Sequence, residues 1–107
     1  MALIRANTNV VSLKGLRDIR TGAFVVDAVL TCTIYDTNSL EVYESGGATA
    51  ITGADGVSMD YQAASNGDYY AVLASTVQLT AGTRVLIVVE SSNYGIKRIQ
   101  VVTVEAG

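Results

Sequence analysis

The residues with chemistry to offer are few. Cys32 is the only cysteine, histidine and tryptophan are absent, and the other reactive types are ten carboxylates, six tyrosines and seven Lys or Arg side chains. A Ser-His-Asp or Cys-His nucleophile pair needs an imidazole, so neither can be assembled within one chain. The same absence removes a Cys/His zinc cage. Cys32 has no partner for an intramolecular disulfide. Alternate positions from Ala28 put Ala28, Leu30, Cys32 and Ile34 on one face of a strand and Val29, Thr31, Thr33 and Tyr35 on the other. Cys32 therefore reads as a small core residue rather than a reactive thiol.

The carboxylates offer two further chemistries. Asp36-Thr37-Asn38 with Glu41, and Asp55-Gly56 with Asp60, carry the oxygen ligands that Ca²⁺ prefers, yet neither completes an EF-hand loop and both are ordinary turn sequences. A glycosidase needs two carboxyl groups flanking a groove, and no fingerprint here selects a pair. Gly-x-Gly-x-x-Gly, Gly-Lys-Ser/Thr and Gly-x-Ser-x-Gly are all missing. No enzyme activity, cofactor or metal is expected. Of the tyrosines, Tyr69 or Tyr70 belongs in a core, while Tyr35, Tyr43, Tyr61 and especially Tyr94, at a loop tip, are available for a carbohydrate or protein contact.

Charge is distributed unevenly. Residues 1–20 carry Arg5, Lys14, Arg17 and Arg20 against Asp18, whereas residues 21–83 contain Asp27, Asp36, Glu41, Glu44, Asp55, Asp60 and Asp68 with no basic residue at all. The remainder holds Arg84, Lys97 and Arg98 against Glu90 and Glu105, which brings the whole to −3. A long stretch without cations argues against a nucleic-acid partner, because binding a phosphate backbone needs clustered Lys and Arg. It suits contacts in which a positive patch on one copy meets a negative patch on another.

Elements able to position these residues are strands. Period-2 runs of β-branched and aromatic residues dominate, and no window sustains helical apolar spacing. Strands are expected over 2–5, 9–16, 24–35, 41–44, 49–52, 57–63, 69–73, 83–90 and 96–104. Asn66-Gly67 predicts a tight hairpin turn with positive φ at both residues, and Ser91 to Gly95 joins the two long late strands. Short strands with frequent turns predict an all-β fold, a two-sheet antiparallel sandwich of about seven to nine strands in one domain. Its core would draw on Leu30, Ile34, Tyr69, Val72, Leu79, Val85, Ile87, Val89 and Val102. In the run from Val85 to Val89 both faces are apolar, so Leu86 and Val88 need cover from a loop or from another chain. That run is far short of the roughly 20 residues that span a bilayer, and the first residues show no secretory signal, so no membrane partner is expected.

Two segments carry a resemblance. Asp27-Ala28-Val29-Leu30-Thr31-Cys32-Thr33-Ile34-Tyr35-Asp36 resembles the second-strand region of small immunoglobulin-like domains. Gly67-Asp68-Tyr69-Tyr70-Ala71-Val72-Leu73, followed by Leu79-Thr80-Ala81-Gly82-Thr83-Arg84-Val85-Leu86-Ile87-Val88-Val89, resembles the closing strands of such domains, and is particularly similar to short modules of tailed-bacteriophage virion proteins. Position 85 is Val where that pattern usually has an aromatic residue. The resemblance implies an immunoglobulin-like sandwich and a structural role without catalysis: a capsid decoration, neck or tail component, made in the host cytoplasm and assembled into the virion. It implies other virion proteins and copies of the chain as partners, with surface carbohydrate or a receptor as the rival. Residues 1–22 lie mostly outside the resemblance and would be a strand or an arm. The interface candidates are Arg5, Lys14, Arg17, Arg20, Leu86, Val88 and Tyr94.

Overall fold

The computed structural model describes residues 3–106; residue 2, with which the first expected strand begins, lies outside the described residues. Alternation explains most of what forms. The strands are β1 (Leu3–Ile4), β2 (Asn9–Leu13), β3 (Leu30–Tyr35), β4 (Val57–Tyr61), β5 (Tyr69–Leu73), β6 (Arg84–Ser91) and β7 (Lys97–Glu105). One short helix, α1 (Leu40–Glu44), lies between β3 and β4. The strands make one continuous mixed sheet in the order β1-β7-β6-β3-β4-β5-β2, curled into a near-barrel that is open between β7 and β2. All neighbours are antiparallel except β1 with β7. The fold is all-β.

The core lies inside this curl. Alternate residues of β2, β3, β5 and β6 pack into one cluster: Val11 and Leu13, Leu30, Cys32 and Ile34, Tyr69, Ala71 and Leu73, and Val85, Ile87 and Val89. Cys32 is fully enclosed, and burial pushes its thiol from 9.0 up to about 11. Val72 is a correction to the expected core. It is 54% exposed, because Tyr69 and Val72 are an odd number of residues apart and a strand sends them to opposite faces. It sits instead opposite Val10 on the outer surface.

Three local expectations also change. Residues 41–44 form a helix, since Ser39 takes the N-cap position and its Oγ accepts from the Val42 N–H at 3.2 Å. The 49–52 segment makes only a single bridge, Ala50 to Tyr35. The β4–β5 turn is wider than two residues: Gln62 N–H donates to the Asp68 carbonyl at 2.8 Å, and the positive φ values fall on Ala64 and Gly67 rather than on Asn66. The reason is tertiary. Gly67 lies against the Leu16 backbone, whose N–H donates to the Gly67 carbonyl at 2.9 Å, and a Cβ on Gly67 would stand 2.5 Å from the Leu16 oxygen.

Leu86 and Val88, proposed as an interface, are covered by the chain itself and are each 1% exposed. Tyr43 of α1 packs its ring edge-on to Tyr35, centroids 5.0 Å apart, and its hydroxyl donates to Glu90 at 3.3 Å. Tyr35 pairs with Leu86, and Glu90 lies about 13 Å further along β6 at roughly 3.3 Å per residue. The Tyr35–Tyr43 pair thus runs lengthwise over β6 and roofs its outer face. Lys97 completes the roof, donating to the Tyr43 hydroxyl at 3.0 Å and pairing with Glu90 at 3.2 Å.

Two outcomes test this packing. Gly67→Ala should destabilise the fold by about 2–4 kcal/mol, since it adds a backbone clash to a strained positive φ; denaturant unfolding reads it. Cys32 should resist iodoacetamide in the native protein at pH 8 and react on unfolding, and native labelling at a free-thiol rate would refute the enclosed position.

Candidate functional site

The cations flank a cleft of about 500 Å³ between the 16–20 segment and the β6–β7 turn. Arg17, Arg20, Lys97 and Arg98 line it, over an apolar base that includes Leu16 and Ile96. Leu16 and Val25 anchor one wall in the core, joined by a hydrogen bond from Val25 N–H to the Leu16 carbonyl at 2.8 Å. The buried Tyr69 hydroxyl donates to the Val25 carbonyl at 2.8 Å and accepts from the Ala28 N–H at 3.2 Å. This wall is consequently held from β5, and its tip carries Ile19, 98% exposed, beside Arg20.

The opposite wall is tied to the first. Asn93 Oδ1 accepts from the Val29 N–H at 2.9 Å and Asn93 Nδ2 donates to the Asp27 carbonyl at 3.0 Å. Tyr94 donates its hydroxyl to the Asp27 carboxylate, and that bond chiefly raises the tyrosine's pKa. Tyr94 is therefore half-buried and engaged, a clamp for the cleft rather than the free tip that a loop position suggests.

Partnering differs among the cations. The Arg17 guanidinium stacks 4.1 Å above the Phe24 ring and donates to the Gly22 carbonyl. Arg20 reaches Asp18 at 3.5 Å, and the Asp18 carboxyl is held below its ordinary value first by the Arg20 backbone N–H. Lys97 is raised by its bonds to Tyr43 and Glu90. Among the described residues Arg17 and Arg98 have no carboxylate within 4.0 Å. With four cations against Asp18, the cleft lining is net positive on a protein of net charge −3.

The other candidates lie elsewhere. Arg5 follows β1, its N–H donating to the Glu105 carbonyl, and Lys14 faces Asp68 at 3.7 Å. Lys97 and Arg98 were missed by sequence reasoning. Their signal was the Ser91–Gly95 turn, which returns the chain so that the start of β7 stands beside Tyr94. Arg98 also lines a second cleft, of about 290 Å³, between β7 and β2. Arg98 lies in the lining of both clefts, so they adjoin near the start of β7. Among the described residues no three carboxylates or thiols gather as a metal site would require.

No family model matches the chain, and neither a curated protein nor a solved structure shows significant similarity to it. Asn93→Ala should cost about 1–2 kcal/mol and speed amide exchange at Val29, whose N–H it caps. Unchanged exchange there would show that the clamp does not hold the wall.

Proposed function

We propose that this chain is a non-enzymatic structural protein of a tailed-bacteriophage virion, a capsid decoration, neck or tail component that works through protein–protein contacts. In this reading the curled sheet is an immunoglobulin-like sandwich, with β7, β6 and β3 facing β2, β5 and β4 across the shared core. The observation that carries the contact role is the basic cleft. Arg17, Arg20 and Arg98 line a concave surface with an apolar base, which favours an acidic partner surface, since charge complementarity gives register and fast encounter. The virion setting rests on the resemblance of the 67–73 and 79–89 segments to modules of such particles.

The carbohydrate rival has less support. It calls for an exposed tyrosine platform, and all six tyrosines are buried or half-buried, three of them committed to Glu90, Ser65 and Asp27. The test is to purify particles of the phage whose genome encodes the chain and quantify it by mass spectrometry. It should be present in stoichiometric copies, and an Arg17→Glu, Arg98→Glu double variant should be at least about tenfold depleted from particles while remaining folded. Absence from particles, or affinity for a glycan panel that survives the double variant, would overturn the reading.

A further inference from the structure

The open seam between β7 and β2 has the form of a vacant strand position. In the β6–β7 ladder, Val104 N–H donates to the Thr83 carbonyl and Ser91 N–H donates to the Ile96 carbonyl, each at 2.8 Å. Antiparallel alternation then turns the N–H and C=O groups of Arg98 and Gln100 into β6 and those of Lys97, Ile99 and Val101 away from it. On that side, among the described residues, β7 pairs only at Val104 and Glu105, with β1. Among the described residues, the edge from Lys97 to Val101 has no strand partner.

β1 shows what fits the position. It lies between β7 and β2, parallel to β7, and Asn9 of β2 holds it by accepting from the Ile4 N–H at 2.9 Å and donating to the Ile4 carbonyl at 3.0 Å. At this end the slot holds one strand. Further along β7 it continues as the 290 Å³ cleft, with Val11 and Leu13 on the β2 side, Arg98 and Gln100 on the β7 side, and Ile87 and Val89 beneath. Proteins usually guard a free edge with charge, and Lys97 and Arg98 do so at one end. Beside them Ile99 and Val101 are 38% and 43% exposed on the outer face, flanking unpaired backbone.

We propose that an extended segment of a partner polypeptide enters this slot and adds to β7 as a further strand, with a carboxylate beside Arg98 and apolar side chains at the alternate positions beside Ile99 and Val101. Backbone pairing supplies the attachment, and the side chains supply the selection. Arg98 selects an acidic end and repels a basic one. A second folded copy is disfavoured as the occupant, because a slot bounded by β2 admits one strand and not a strand still attached to its own sheet. This mode of docking deepens the protein-contact reading given above and rests on it.

A synthetic nine-residue peptide alternating Val and Thr and ending in two Asp residues is the probe. Titration followed by residue-resolved amide exchange should show saturable binding, with slowed exchange at Lys97, Ile99 and Val101 and little change at Arg98 and Gln100, which already pair with β6. Val101→Pro removes only an outward N–H, so it should keep the fold and weaken binding at least about tenfold. Arg98→Glu should weaken it comparably and recover affinity for the same peptide ending in two Lys. Lack of protection at the three outward amides at millimolar peptide, or equal affinity of folded Val101→Pro, would overturn strand addition. The same amides protected by self-association would overturn the choice of occupant. If strand addition fails while particle incorporation stays sensitive to Arg17 and Arg98, the virion reading survives without this mode.

Discussion

The close approach of Gly67 to Leu16 is the constraint on which the functional surface depends. With no side chain at 67, two backbones meet and share a hydrogen bond, and Leu16 enters the core beneath the β4–β5 turn. From there the bonds run in series. Leu16 fixes Val25, the Tyr69 hydroxyl fixes Val25 and Ala28, and Asn93 and Tyr94 fasten the β6–β7 turn to residues 27 and 29. Both walls of the basic cleft therefore hang from one side of the core. A loop of this length would otherwise be free to wander, and Arg17 would have no defined distance from Arg98.

A second constraint is the burial of both faces of β6. The inner face belongs to the common core, and the outer face is roofed by the Tyr35–Tyr43 pair and the Glu90–Lys97 ion pair. The most hazardous apolar run in the chain is thus closed within the molecule. What stays open is the outer edge of β7, where a two-residue strand covers one end and leaves the other bare. Among the described residues β6 is paired on both sides, whereas β7 has no strand partner from Lys97 to Val101 on the side away from β6.

Much of the sheet was legible from alternation alone. Tyr69–Leu73 appears with its expected bounds, β6 and β7 fall within one residue of theirs, and Cys32 faces the core with Leu30 and Ile34. Alternation is a local property, dictated by the pleat, so it survives without knowledge of neighbours. Two of the errors were themselves local: the Ser39 cap makes 41–44 a helix, and the odd spacing from Tyr69 sends Val72 outward beside Val10. Another needed a neighbour, because the Leu16 backbone against Gly67 widens the Asn66-Gly67 turn.

The amino-acid sequence by itself determined the class of structure and a set of exclusions: β alternation requires a sheet, and a chain lacking histidine with one cysteine cannot build the imidazole-dependent sites. It also set the amounts of charge of each sign. Only the tertiary structure decided where that charge lies. Arg17 and Arg20 join Lys97 and Arg98, some eighty residues distant in the chain, while Arg5 and Lys14 are sent elsewhere. It likewise decided that Leu86 and Val88 are interior and that the edge of β7 is open. Side-chain type is local information, but burial and proximity follow from which strands become neighbours, and that is settled by the packing of the whole sheet.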